Sequence, residues 1–434
     1  MRILIKSVLI LDSYSSFFNQ RVDLLIQDGY LVDVSSGIDN SFIDQTIVAN
    51  NLSWYPSLID CRVHSTLPGG EHLEDWNSLS NSAKRGGVLD VLLLPTASSI
   101  PQTAESIEYI INKVTQQKVN FYPCAPLTLD NKGENFSELL DLANAGASWF
   151  SHGAGSLDNT DLMLKSLQYL LPMDVCVISQ PDTAKISLYG QVHDGLQSTL
   201  LGLKGIPSLS ETLSIKRDLD LLKYVLQHSF GLANPNFRLH FSCISSAESV
   251  ELLRNAKNDG LPVSCDVAAH HLIFTEDIVS DFSTYNKVFP PFRTEFDRLA
   301  LWDGLHDQTI DFVVSDHNPV EIESKEVEFD HAAFGTVGLE TLLIAFLEEA
   351  QKQNFSAIDE VLSYRPAKFL KKVKDPLEKG ILLKGILVES CASYILQADN
   401  LLGKSKNSTF LGHEFHHQIS AVINQAEITK YLLS

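Results

Sequence analysis

Four side chains that could bind zinc or move a proton sit at the ends of short apolar runs: His64, His152, Cys243 and Asp316. Imidazole, thiolate and carboxylate are the ligands zinc accepts, and an aspartate alone can act as a base. Arg62 stands two residues before His64. It is a permanent cation that cannot deprotonate to take a metal. The stretches that close the runs are Asp60-Cys61-Arg62-Val63-His64, Pro95-Thr96-Ala97, Ser151-His152-Gly153, Ser179-Gln180-Pro181, Ser242-Cys243-Ile244, Ala269-His270-His271 and Ser315-Asp316-His317. Such a pattern fits one site assembled from many strand ends. His270-His271 resembles a ligand pair, but adjacent residues point in different directions, so both read as hydrogen-bonded wall residues. His317 reads as bonded within its own loop. His413, His416 and His417 read as a surface cluster, and Lys371, Lys372 and Lys374 as a solvated helix end.

The elements that must position these residues alternate. Apolar runs at 88–95, 147–151, 174–179, 237–242, 261–267 and 310–316 are separated by amphipathic stretches at Ala104–Gln116, Phe136–Ala145, Asp161–Tyr169, Leu209–His228, Ala247–Asp259 and Thr294–Leu305. Buried strands alternating with helices mean βαβ units and a parallel sheet. Repetition over most of the chain favours a TIM-like (β/α)8 barrel over an open sheet. Both ends, RILIKSVLILD with VDLLIQDGYLVDV and GILLKGILVES with HQISAVIN, are strand-like. They predict one small β-sandwich domain built from residues 1–55 and 377–434, flanking a barrel at 56–376.

Lys+Arg 33 against Asp+Glu 54 gives a net charge of −21, which would repel nucleic-acid phosphates and an anionic membrane. The 6 cysteines include no CxxC pair, arguing for reduced thiols and a cytoplasmic location rather than a zinc ribbon or a disulfide framework. The N-terminal run carries a charge and no small-residue cleavage motif, so it reads as a strand and not a signal peptide. No apolar stretch is long enough to span a membrane.

The stretches LIDCRVHSTLPGGEHLEDW (58–76), HHLIFTED (270–277), TIDFVVSDHNPVE (309–321), FGTVGLET (334–341) and GKSKNSTFLG (403–412) resemble the dihydroorotases of the amidohydrolase superfamily, specifically the long, aspartate-transcarbamoylase-associated type. That resemblance implies a TIM-like barrel and two divalent metals, usually zinc. The metals polarise an amide carbonyl and supply a hydroxide, and an aspartate after the last strand serves as base. The reaction implied is the reversible closure of carbamoyl-aspartate to dihydroorotate.

Carried over residue by residue, the implied site is degenerate. The family's first metal histidine falls at Arg62, while the second is retained as His64. The bridging carboxylate falls at Gly153, beside His152, the next two histidines at Gln180 and Cys243, and the aspartate is retained as Asp316. Substrate-binding positions fall at Thr66, Thr96, Phe289 and Val320, none of which carries the matching group. A dicarboxylate needs cations and amide donors. We therefore expect an Arg62–Asp316 ion pair in the volume once held by metal, no bound metal, and a catalytically inactive, oligomeric dihydroorotase-like protein of pyrimidine biosynthesis with a structural role, with aspartate transcarbamoylase as its partner by resemblance. The rival expectation is an active dihydroorotase or other cyclic-amide hydrolase with a mononuclear zinc site rebuilt from His64, His152, Cys243 and Asp316.

Overall fold

The two ends of the chain pair with each other. Near the N-terminus, β1 (Arg2–Ile10), β2 (Arg21–Gln27), β3 (Tyr30–Ser35), β4 (Gln45–Val48) and β5 (Leu52–Pro56) form part of a sheet that β16 (Lys384–Ile395), β17 (Glu414–Asn424) and β18 (Glu427–Lys430) complete. Its order is β18-β17-β16-β5-β1-β2-β3, with β4 also on β1. Antiparallel register between β5 and β16, such as Tyr55 opposite Ile386, joins the termini. Ile3, Ile5, Val8, Leu24, Trp54 and Ile423 share a core of their own within this sheet. The computed structural model describes residues 1–39, 42–96, 100–114 and 118–431. Gln116, the expected end of one helix, and Ala97, in the Pro95-Thr96-Ala97 stretch, lie outside them.

Between the ends, β6 (Leu58–His64), β7 (Val88–Leu94), β8 (Asn120–Pro126), β9 (Trp149–Ser151) and β10 (Cys176–Ser179) continue, past the minor pair β11 (Val192–His193) and β12 (Gly205–Ile206), into β13 (Arg238–Phe241), β14 (Val263–Ala268) and β15 (Phe312–Val314). The principal strands form one eight-stranded parallel sheet in chain order. The helices α1 (Trp76–Arg85), α2 (Ala104–Val114), α3 (Leu139–Asn144), α4 (Thr160–Leu170), the short α5 (Ala184–Ser187) and α6 (Leu196–Leu201), α7 (Leu209–Gln227), α8 (Ala247–Asn258), α9 (Glu295–His306), α10 (Leu342–Lys352) and α11 (Arg365–Phe369) follow or interrupt the strands. This is the TIM-like barrel the alternation predicted.

Several elements were not read from the sequence, among them β8, α1 and α10. Strand β8 carries Pro123 and Pro126, which remove ladder donors and mask a strand pattern. Helix α1 is serine-rich, but Asp75 caps it by accepting from Asn77 N–H at 2.9 Å and Ser78 N–H at 2.8 Å. Helix α10 is apolar on most sides because it is buried between the barrel and β17.

Strand β6 meets β15 at the closing seam, through individual contacts instead of a regular ladder. His64 N–H donates to His317 O at 2.8 Å, and Val63 pairs with His317 as a single parallel bridge. Ser315 N–H donates to both carboxylate oxygens of Asp60 at 3.3 Å. Side chains Ile59, Cys61, Leu92, Cys124, Ile178, Cys243 and Val314 fill the barrel interior. The cysteines there are free and buried, packing as small apolar groups.

Candidate functional site

The DCRVH stretch belongs to β6 itself instead of following it. The register of β6 shifts between Asp60 and Val63. Cys61 packs in the barrel interior and Val63 in the outer core, so the alternation breaks between them. Such irregularities re-aim side chains, and here both Arg62 and His64 reach Asp316. On the other side of the seam, Asp316 sits at φ 51°, a left-handed conformation that aspartate tolerates better than most residues.

The resulting cluster is buried and fully engaged. Arg62 Nε donates to Asp316 Oδ1 at 2.6 Å, and the two guanidinium ends donate to Ser242 Oγ at 3.1 Å and Gln180 Oε1 at 2.8 Å. Arg62 is 1% exposed and Asp316 4%. His64 Nε2 lies 3.3 Å from the same carboxylate oxygen. Burial alone would push the Asp316 carboxyl up, but the adjacent Arg62 guanidinium overrides it and holds the group well below the usual carboxylate range. Burial pushes His64 down, so its imidazole is neutral and donates to Asp316. The Arg62 cation is in turn held by Asp316 against the cost of burial.

Supporting groups that sequence reasoning missed lie one layer further in. Ser242 Oγ, besides accepting from Arg62, donates to Asp266 Oδ2 at 2.9 Å, and His240 Nε2 meets the same oxygen at 2.8 Å. Asp266 Oδ1 also accepts from Cys243 N–H at 2.6 Å. The alternation of His240, Ser242 and Asp266 along neighbouring strands was a visible signal, but strand register was needed to pair them.

Of the remaining expected site residues, Cys243 lies close enough to Arg62 and Asp316 to feel both charges, and the others are dispersed. Burial keeps the Cys243 thiol protonated. His152 turns away, its Nδ1 3.1 Å from Thr128 Oγ1. Gly153 sits at φ 76°, and a Cβ there would lie 2.3 Å from Pro95 O and 2.8 Å from Asn131 Nδ2. Thr66 Oγ1 donates to Gly70 O, and Thr96 Oγ1 to Ser65 O. Phe289 packs edge-on against Phe334, and Val320 lines a cleft of about 420 Å3 with Tyr285, Lys325 and Asn407.

Among the described residues no three His, Cys, Asp or Glu side chains converge to hold a metal ion. A guanidinium, an amide, an unionised thiol and a glycine do not fit the pair of divalent ions that the resemblance implies.

Several local readings need correction. His317 bonds outside its own loop: Nε2 lies 2.7 Å from Glu74 Oε2, and Nδ1 accepts from Gly338 N–H. His271 Nε2 bonds to Pro290 O at 2.9 Å, but His270 Nε2 and His271 Nδ1 have no partner among the described residues, so the pair is not fully satisfied. Lys374 is not solvated. Its ammonium donates to Ser57, and burial lowers its pKa to about 8.

Known proteins place these features in context. Residues 53–230 match the family model described as dihydro-orotase-like. The chain is 33% identical over 405 residues to a dihydroorotase of Acetivibrio thermocellus, covering 92% of each protein. It is 32% identical over 417 residues to that of Geotalea daltonii, covering 95% of this chain and 96% of the relative. An L-hydantoinase (dihydropyrimidinase) from Arthrobacter aurescens superposes with a TM-score of 0.79 at 21% identity, over 100% of this chain and 97% of that one. The latter likeness shows the barrel fold, and the near full-length identity to curated relatives goes further: the chain belongs to the dihydroorotase family.

Proposed function

We propose that this chain is a dihydroorotase-family protein of pyrimidine biosynthesis that has exchanged metal-assisted amide chemistry for a structural or binding role, with aspartate transcarbamoylase as partner. The observation that carries the reading is the Arg62 side chain, locked onto Asp316, Ser242 and Gln180. It fills positions from which metal ligands would project. A fixed guanidinium also repels an incoming dication: at an effective dielectric of about 20, unit charges about 4 Å apart interact by roughly 4 kcal/mol, and a dication by twice that. Gly153 closes the simplest route back, because any side chain there meets backbone. The partner reading rests on resemblance alone.

The test is metal content and turnover of the purified chain. Zinc should stay well below one equivalent after dialysis, and cyclisation of carbamoyl-aspartate should be undetectable with or without added zinc. Stoichiometric zinc, or turnover lost in Asp316→Ala, would overturn inactivity. Co-purification with aspartate transcarbamoylase tests the partner, and failure to associate at micromolar concentration removes it.

A second reading, an active dihydroorotase or other cyclic-amide hydrolase with a reduced metal site, is favoured by the names of the relatives and by one structural observation. Asp316, the aspartate that the resemblance casts as base, is retained and ionised beside a neutral His64. The Asp316→Ala assay separates the two readings.

A further inference from the structure

At the opposite end of the barrel from Asp316 lies a cleft of about 700 Å3, within the size range of small-molecule sites. Its inner wall is formed where strands begin: Cys176 of β10, Arg238 of β13, Ser264 of β14 and Phe312 of β15. The outer wall is the turn of π-helix at Glu360–Tyr364 continuing into α11, which presents Tyr364, Arg365, Lys368 and Phe369. Turns of π-helix are rare and occur often at functional sites. The floor is aromatic, Phe312 and Phe369, with His240 behind it stacking on Phe312 at 5.2 Å and packing against Phe369 at 4.6 Å. Tyr14 and Tyr364 form an aromatic rim, with ring centroids 4.3 Å apart.

Charge decides what such a cleft can hold. Each acid lining it already has a cation of its own. Asp174 pairs with Lys371 at 2.7 Å, Glu360 with Arg365 at 3.0 Å, and Asp311 with Lys257 at 2.7 Å. Two cations remain. Among the described residues, the Arg238 guanidinium donates only to the main-chain oxygens of Pro235 and Phe237, and Lys368 has no acidic partner. Uncompensated cations over an aromatic floor, on a chain of net charge −21, are the complement of an anion attached to a flat apolar body.

We propose that this cleft binds a small organic anion bearing a planar ring, the ring lying against Phe369 and Tyr364 and its carboxylate or phosphate held by Arg238 and Lys368. The site is independent of the barrel mouth and of the function proposed for it.

Titration calorimetry of the full chain tests the assignment, with benzoate and adenosine 5′-monophosphate as the two ring anions. Adenosine and inorganic phosphate serve as controls, each carrying half of the required chemistry. At least one ring anion should bind, about tenfold or more tighter than its neutral or ring-free control, and more weakly as salt rises. Which one binds separates a carboxylate from a phosphate ligand. Lys368→Ala combined with Arg238→Gln should lower affinity by about 10- to 100-fold. Both residues are exposed, so the variant should keep the parent's thermal midpoint; Phe369→Leu, which leaves the charges in place, should weaken binding independently. No binding of either ring anion at millimolar concentration overturns the proposal. So does equal binding of inorganic phosphate alone, or unchanged affinity in the folded double variant.

Discussion

Replacing Arg62 with methionine removes a guanidinium while keeping much of its volume, and the consequences can be worked through from its contacts. Asp316 loses the donor at 2.6 Å and keeps only the neutral His64 at 3.3 Å. Breaking a buried ion pair by removing one partner costs about 3–5 kcal/mol, because the remaining charge is left uncompensated. Gln180 Oε1 also loses its donor, adding about 1 kcal/mol or more. Ser242 suffers less, since its hydroxyl still donates to Asp266. A loss of this size is a large part of the roughly 5–15 kcal/mol by which domains are stable. The assay is urea unfolding followed by circular dichroism and tryptophan emission. Arg62→Lys should recover part of the loss by restoring charge without the fork that spans three partners. The double variant Arg62→Met/Asp316→Leu should lie within about 2 kcal/mol of the parent, since replacing a whole buried pair with apolar groups is often near neutral.

The same perturbation has a pH signature. In the parent, the Asp316 carboxyl is depressed, so the pair's stability is present above the unfolded value near 3.8 and lost as pH falls through the folded one. In Arg62→Met, burial raises that carboxyl instead. The deficit relative to the parent should therefore be larger at pH 8 than at pH 5, where the orphaned acid takes up a proton. A single variant within about 1 kcal/mol of the parent would show that Arg62 does not compensate a buried Asp316 charge, as would a double variant no better than the single or a deficit independent of pH.

Other outcomes follow from the same structure. Gly153→Ala should destabilise the fold by about 1–3 kcal/mol or more, measured by the urea midpoint, because its φ of 76° strains a side chain and the Cβ meets Pro95 O. Arg62→His should not create zinc-dependent turnover, since Gly153, Gln180 and protonated Cys243 still supply no ligands; measurable rescue would contradict the residue assignments. Burial lowers His270 to about 3 and His271 to about 4, so the folded chain holds both neutral while the unfolded chain protonates near 6.5. Their stability is present above pH 6.5 and lost as pH falls toward 4, by up to about 3 kcal/mol each. Asp60, raised to about 6 by burial, acts in the opposite sense between pH 4 and 6 and offsets part of the loss. His271→Gln should flatten the acid limb of a stability–pH curve, and an unchanged limb would show that these histidines do not set it.

The strand–helix alternation of the barrel and the strand character of the two chain ends were legible in the sequence because apolar periodicity is local and repeats. The proline-bearing β8 and the serine-rich α1 were not, since one is stabilised by neighbouring strands and the other by its Asp75 cap. Residue identity alone excluded the Arg62 and Gly153 side chains as metal ligands, because a guanidinium cation has no lone pair to give and glycine has no side chain. The rest depended on tertiary placement. The register shift in β6 aims Arg62 and His64 at one carboxylate, His152 swings to Thr128 and leaves the cluster, and Ser242 ties Arg62 to the buried Asp266–His240 pair. Side-chain type limits what chemistry a position can do, and it is written in the chain. Which groups meet depends on register and closure between segments hundreds of residues apart, and those are fixed only when the whole barrel packs.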